Sequence, residues 1–132
     1  MPTYFFYCRD RSDTGALRRE HREDHWSFMD KYADAMIARG PTLADDGETP
    51  TGSMHAVELP DDDAARVFAF EEPNYVAGIY NDVMVRQWSN ALNRTMWDFD
   101  GDPDNNRRFL FIGHSADDAD VTARRNGLLQ AH

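Results

Sequence analysis

The sequence predicts an α+β protein with ferredoxin-like β-α-β-β-α-β order, in which an antiparallel sheet carries its helices on one face. Three observations lead to this fold class. Short apolar or alternating runs at residues 4–8, 53–59 and 82–88 are typical of strands. A long apolar stripe at helical spacing separates the first two runs. A second helical pattern separates the last two.

Composition bounds the class of protein. The chain has 132 residues, a formal net charge of -10 and 41% apolar residues. This charge would repel nucleic acid and anionic membranes, so we expect neither as a partner. No apolar run approaches the roughly 20 residues of a membrane span, and the N-terminus has no basic leader. With Cys8 as the one cysteine, we expect a cytoplasmic protein without internal disulfides.

The first half of the chain predicts a strand, a long helix and an edge strand. Residues 4–8 are too short for a helix and fit a buried strand. The helix is expected from about residue 14 to about Arg39, and Gly40 with Pro41 ends it. Residues 40–44 fit a short edge strand, and turn-forming residues follow. The apolar stripe of this helix comprises Leu17, Phe28, Met29, Tyr32, Ala33, Met36 and Ile37.

The second half of the chain again predicts a strand, a helix and a strand. Residues 53–59 alternate, with His55, Val57 and Leu59 on one face. Acidic residues after Pro60 favour a helix start, and the helix reaches Phe70. After the break at Pro73, residues 75–80 predict a further helical turn, 82–88 a strand and 95–99 an extended piece. Because no helix is left to cover the second sheet face, we expect that face to be buried in a homodimer.

Residues 100–132 are predicted to extend a first domain of residues 1–99. A polar loop leads to a strand at 107–114 and a helix at 122–132. The strand resembles the first strand, and Arg-Arg pairs follow both, before His25 in one case and before His132 in the other. This echo is typical of a truncated second unit, although any strand–loop–helix start has similar features.

His21 and His25 lie four residues apart, the spacing of helical metal sites. However, Arg22 stands where a zincin has Glu, and no third ligand follows at a matching distance. We therefore expect no metal and no cofactor. The apolar stripe extended backwards places His25 at the border of the buried side and His21 among exposed charges. A half-buried histidine needs a partner, either backbone or a carboxylate.

The carboxylates nearest to a helix break are Glu71 and Glu72, directly before Pro73. Irregular backbone there can direct a side chain towards the first helix, because both helices lie on one sheet face. A His–carboxylate pair fixes the imidazole tautomer and suits general acid–base catalysis. The sequence leaves open which glutamate is the partner. Aromatic and apolar residues near the pair could contact a substrate: Trp26, Met29, Tyr75 and Tyr80.

Several stretches together resemble the YCII-related family of small bacterial proteins. They are the first strand, Asp24-His25-Trp26, Arg39-Gly40-Pro41, Thr51-Gly52-Ser53, the run from Glu72 to Tyr80 and the strand at 83–88. The resemblance covers about residues 3–92. It implies a ferredoxin-like domain that dimerises into an α/β barrel, with an active site built on a His–Asp pair.

The family's histidine falls on His25 and its acid on Glu72, where Glu replaces Asp and Asn74 is inserted before the aromatic Tyr75. The resemblance implies a lyase, dehydrochlorinase-like reaction on a small, ring-containing substrate. Two alternatives stay open at this point. One is a non-catalytic dimeric module that binds a ligand or assists another enzyme, and the other is a cofactor-independent barrel-type monooxygenase.

Overall fold

A computed structural model describes residues 1–102 and 104–116. The chain divides into two compact units, Met1–Asp100 and Gly101–His132. The first unit contains all of the described helices and strands. In chain order these are β1 (Thr3–Asp10), α1 (Gly15–Glu20), α2 (Arg22–Asp30), β2 (Met36–Leu43), β3 (Pro50–Glu58), α3 (Asp62–Phe70), α4 (Pro73–Val76) and β4 (Tyr80–Trp88). Short 3₁₀ turns occur at Ala33–Ala35 and Met96–Asp98.

The four strands form one antiparallel sheet in the order β2-β3-β1-β4. Phe6 at the centre of β1 pairs with His55 on β3 and with Val85 on β4. This is the predicted ferredoxin-like α+β fold, and the predicted strands in the sheet centre are confirmed. The register also confirms that His55 and Val57 share one face of β3.

The main core lies between the sheet and the helices. Alternate residues of β1, Tyr4 and Phe6, face Met29 of α2 and Phe68 of α3 in this core, and all four are almost fully buried. Phe6 and Phe68 pack with ring centroids 4.6 Å apart. A smaller cluster around Cys8, Ile79 and Tyr80 closes the other end of the same face. Next to this cluster, the helix-facing side of the sheet carries a buried polar residue, Ser53 of β3, which pairs with Cys8.

Gly52 allows β3 to approach β1 closely. A Cβ atom at this position would lie 2.2 Å from the carbonyl oxygen of Cys8 and 2.8 Å from the Thr42 hydroxyl. No side chain larger than hydrogen fits there without moving backbone. Ser53 follows Gly52 directly, so this close approach also fixes the position of Ser53 relative to β1.

Two predicted elements differ from the structure. The first helix was expected to continue to Arg39, but it is divided at His21 and ends at Asp30, and β2 begins at Met36. Gly40 and Pro41 therefore lie inside an edge strand and do not end a helix. Residues 75–80 were expected to form a helical turn, which instead spans Pro73–Val76, and Tyr80 opens β4.

Beyond β4, two further predictions are wrong. Residues 95–99 contain a 3₁₀ turn and not an extended piece. Residues 107–114 form no strand, and Phe109 and Phe111 are 72% and 87% exposed. The helix predicted at 122–132, with His132, lies outside the described residues.

The segment after β4 reaches the opposite edge of the sheet. The backbone N–H of Arg39 on β2 donates a hydrogen bond to the sulfur of Met96 at 3.2 Å. Within the described ranges, no helix has the length and apolar character needed to cross a bilayer.

Candidate functional site

The site centres on a hydrogen bond between His25 and Glu72. Nδ1 of His25, on α2, lies 2.9 Å from Oε2 of Glu72. The His25 side chain is 13% exposed, whereas that of Glu72 is 3% exposed. The carboxylate is therefore behind the imidazole, and the imidazole is the member of the pair that reaches solvent.

Local backbone structure explains why Glu72, and not Glu71, faces His25. Glu72 is the N-cap of α4, with extended backbone, and Pro73 occupies the first turn of that helix. Oε2 also accepts a hydrogen bond from the backbone N–H of Asn74 at 2.9 Å. Because α4 packs against α2, the capping carboxylate is brought to the imidazole.

The charge of Glu72 sets the tautomer of His25. Burial alone would raise the pKa of Glu72, but the hydrogen bond and charge of His25 and the amide of Asn74 hold it below its ordinary value. An ionised carboxylate can only accept hydrogen bonds. Nδ1 of His25 therefore carries the proton, and in the neutral ring Nε2 has a free lone pair.

A second histidine stands beside the first. The His55 ring is 5.9 Å from the His25 ring, centroid to centroid, in an edge-on arrangement, and it also packs against Phe68. Burial and the charge of His25 lower the pKa of His55 to about 3. His55 is therefore neutral over the physiological range and contributes an uncharged wall to the site.

On the other side of His55 along β3, a buried ion pair joins α1 to the sheet. Arg18 donates from Nε and Nη2 to the two carboxylate oxygens of Asp10, at 2.5 and 2.7 Å. Nη2 also donates to the Ser53 hydroxyl at 3.0 Å. The bidentate geometry fixes the plane of the guanidinium.

Tyr80 connects this ion pair to the His25–Glu72 pair. Its hydroxyl donates to Ser53 at 3.4 Å and accepts from Nδ2 of Asn74 at 3.4 Å. Burial and the charge of Glu72 raise the pKa of Tyr80, so the phenol stays protonated. A continuous set of polar contacts thus runs from Arg18 to His25.

Two acceptors in this network have no hydrogen-bond partner among the described residues. They are Oε1 of Glu72 and Oδ1 of Asn74, on residues that are each 2% exposed. Buried acceptors of this kind are normally satisfied by water or by a ligand. Cys8 lies nearby, but burial and the charge of Glu72 raise its pKa to about 12, which makes the thiol a poor nucleophile.

The four residues expected to contact a substrate are not brought together. Tyr80 joins the polar network, as described above. Met29 is 1% exposed and packs in the main core, and its role as a substrate contact stays a prediction. Trp26 packs beneath the Arg22 guanidinium and Tyr75 packs on Phe70, and neither of these contacts reaches the pair.

Sequence reasoning missed most of the network: Asp10, Arg18, Ser53 and Asn74. His55 was predicted only as one of the alternating residues of the strand at 53–59. The alternation of β3 was a usable signal, since it places Ser53 and His55 on the helix-facing side. In the described part of the chain, no cluster of three or more His, Cys, Asp or Glu side chains is arranged to hold a metal ion.

A separate cleft of about 480 Å³ lies between α3 and the sheet, lined by Tyr4, Asp62, Ala65, Arg66, Phe70, Val85 and Gln87. None of the network residues lines it. Its volume is in the range of ligand sites, but proton-transfer chemistry requires the titratable pair, and that pair lies elsewhere.

Comparison with known proteins agrees with this fold. Among solved structures, the chain is similar to 5-chloro-2-hydroxyhydroquinone dehydrochlorinase from Burkholderia phenoliruptrix AC1100 in complex with 2,5-dihydroxybenzoquinone. The identity is 22%, the TM-score is 0.61, and the match covers 66% of this chain and 93% of that one. An Arabidopsis thaliana protein matches at 11% identity and a TM-score of 0.38, over 67% and 94% of the two chains.

No curated protein matches the sequence. The family model of the YCII-related domain matches residues 3–89, which is more than half of the chain and includes all four strands and the His25–Glu72 pair. The chain therefore belongs to the YCII-related domain family.

Proposed function

We propose that this protein is a lyase-type enzyme in which His25 moves a proton of a small organic substrate and Glu72 orients and stabilises the imidazole. The observation that carries the proposal is the 2.9 Å contact between Nδ1 of His25 and the buried, ionised Glu72. It leaves Nε2 of a partly exposed imidazole as the free base. A carboxylate behind the ring also stabilises the imidazolium that forms when the proton arrives.

The reaction favoured is an elimination on a hydroxylated ring compound. The solved structure of similar fold is a dehydrochlorinase acting on 5-chloro-2-hydroxyhydroquinone. In such a reaction here, a substrate proton would pass to Nε2 of His25, its electron pair would form the new double bond, and chloride would leave. Hydrogen chloride is lost overall, so neither an external oxidant nor a redox cofactor is needed.

Chloride release from 5-chloro-2-hydroxyhydroquinone tests the proposal. His25→Ala should lower the rate by about 10²- to 10⁴-fold, the usual contribution of a general base. His21→Ala is the matched control. His21 is the residue between α1 and α2, four residues before His25, and the hydrogen bond to Glu72 comes from His25. Wild-type binding without turnover would support a ligand-binding module instead. Turnover that consumes oxygen would support the monooxygenase.

We also propose a homodimer formed through the sheet face that carries no helix. Phe5, Tyr7, Met54 and Met84 are neighbours on that face by register and are only partly buried. A contiguous apolar face of this kind is typical of association surfaces. The expected small-molecule site is on the opposite, helix-covered face.

A further inference from the structure

We propose that the cleft between α3 and the sheet is a second binding site, which takes a free α-amino acid with an apolar side chain. Asp62 pairs with the ammonium group of this ligand, and Arg66 pairs with its carboxylate. The ligand's side chain packs between Phe70 and Val85. The site is argued from the lining of the cleft alone and does not depend on the reaction proposed above.

The cleft lies at the end of β1 that is distant from the polar contacts around Ser53. Tyr4 lines the cleft, whereas Cys8, the partner of Ser53 in the sheet, is four residues further along β1. Four residues of a strand span about 13 Å. The volume of about 480 Å³ is that of a small-molecule site. A ligand in the cleft therefore occupies a different place from a substrate at His25.

Two opposite charges line the cleft without pairing with each other. Asp62 and Arg66 are four residues apart on α3, a spacing at which acidic and basic side chains can form an ion pair. Here the Tyr4 hydroxyl donates to Oδ1 of Asp62 at 2.7 Å and so holds the carboxylate towards the sheet. Among the described residues, Arg66 has no ion-pair partner and Oδ2 of Asp62 has no donor. One anion and one cation are thus available to a ligand.

The distribution of charge favours a ligand that carries both signs. Asp61, Asp62 and Asp63 lie at the start of α3, and Arg66 is the one basic residue of this helix. These acids would repel a ligand whose only charge is a carboxylate, and Arg66 would repel one whose only charge is an ammonium group. An α-amino acid carries both groups on one carbon. One end of such a ligand can therefore contact both side chains.

Much of the remaining lining is apolar and suits the side chain of the ligand. Ala65 contributes only a methyl group, which leaves space between α3 and β4. Phe70 is 42% exposed and Val85 is half-buried, so both present apolar surface that a ligand would remove from water. Gln87 adds an uncharged amide. We therefore expect an apolar or aromatic side chain to bind more tightly than a charged one.

Isothermal titration calorimetry with L-phenylalanine tests the site, and two analogues separate the contributions of its charges. Phenylpropanoate keeps the ring and the carboxylate but lacks the ammonium group. Phenethylamine keeps the ring and the ammonium group but lacks the carboxylate. L-Phenylalanine should bind about tenfold or more tightly than either analogue, as expected for one additional charged hydrogen bond.

Substitutions of the two charged residues should affect different analogues. Asp62→Asn keeps an acceptor for the Tyr4 hydroxyl, and it should weaken L-phenylalanine binding by about tenfold or more without weakening phenylpropanoate binding. Arg66→Gln should weaken L-phenylalanine binding by a similar factor without weakening phenethylamine binding. Asp63→Asn is the matched control, since it removes the same charge from the same helical turn at a residue that does not line the cleft. It should leave the order of the three affinities unchanged.

Three outcomes would overturn the proposal. The first is no binding of L-phenylalanine at millimolar concentration, or equal affinity for all three ligands. The second is an equal loss of all three in Asp62→Asn, which would reflect a change in the fold of the cleft and not a lost ammonium contact. The third is loss of L-phenylalanine binding in His25→Ala, which would place the ligand at the His25–Glu72 pair. Binding that survives His25→Ala supports the cleft, whether or not the protein releases chloride.

Discussion

Glu72 performs two tasks with one oxygen, since Oε2 caps α4 and accepts from His25. The resemblance to the family implied Asp at this position, and the longer side chain still reaches the imidazole. In the structure, its Oε2 lies 2.9 Å from Nδ1 of His25. The site therefore depends on the helix cap as much as on the charge.

When the pH is lowered from neutral into the acid range, Glu72→Gln should lose less stability than the wild-type protein. The pKa of Glu72 is lower in the folded protein than in the unfolded chain. Its contribution to the free energy of unfolding is therefore fully present above the ordinary pKa of about 4.3 and is lost as the pH falls through the lower, folded pKa. Glutamine cannot ionise and lacks this step. Urea unfolding at neutral pH and below pH 4.3 measures the difference. An unchanged difference between the two pH values would contradict the prediction.

His55 should act in a different pH window. Its folded pKa is about 3, below the ordinary value of 6.5, so the unfolded chain binds the proton first as pH falls. Stability should therefore decrease progressively from pH 6.5 downwards until the folded pKa is reached. His55→Phe preserves a ring against Phe68 and should flatten this part of the stability curve. Equal slopes in the two proteins would show that His55 is not the cause.

The sequence indicated that His25 and Glu72 could be in contact, and in the structure they lie 2.9 Å apart. Each lies at an irregularity that the sequence reveals. His25 is at the polar-to-apolar border of a helix, and Glu72 precedes a proline. Arg18 and Ser53 carry no such mark. Their proximity depends on the register of β3 against β1, which no local pattern reports.

The first half of β2 shows why residues can be assigned to the wrong class, since an edge strand was expected only at 40–44 and β2 begins at Met36. Met36 and Ile37 continue the apolar spacing of the preceding helix, so local periodicity favours more helix. In the structure, both are buried in an edge strand that pairs with β3. Pro41 was the stronger signal, since proline is tolerated at a sheet edge and biases the preceding residue towards extended backbone. The pairing partner, which is distant in sequence, decides the outcome.

Gly52→Ala and Gly40→Ala form a matched pair within the sheet. At Gly52 the new methyl group would collide with the Cys8 carbonyl at 2.2 Å, whereas at Gly40 it meets no atom within 4 Å. We expect the first substitution to destabilise the fold by about 1–3 kcal/mol or more, as overpacking does, and the second to be close to neutral. Chemical denaturation measures both. Equal stability of the two variants would contradict the close approach of β1 and β3.

At the scale of the whole molecule, the proposed dimer makes a direct prediction. Tyr7→Lys places a charge in the centre of the uncovered sheet face, next to Met54 and Met84. Burying an unpaired charge is costly, so the variant should be monomeric at concentrations where the wild type is dimeric. Sedimentation velocity distinguishes the two states. Arg86→Lys, on the same face but without a change of charge, should remain dimeric. A monomeric wild type would overturn the dimer itself.

The overall topology was predictable because the β-α-β-β-α-β order of periodic segments permits few packed arrangements. The C-terminal part was not, because residues 107–114 have strand-forming composition but form no strand in the described chain. Composition reports what a segment can form, whereas formation also needs an edge with free hydrogen-bonding groups.

The contact between Met96 and β2 has a consequence for self-association through strand edges. A sheet open at both edges can add copies without limit and grow into a fibre. Here one edge, β2, donates a backbone N–H to the Met96 sulfur, and the opposite edge, β4, pairs only with β1 in the described chain. The turn at Met96–Asp98 engages one backbone donor of β2, so that donor is not available to the strand of a second copy.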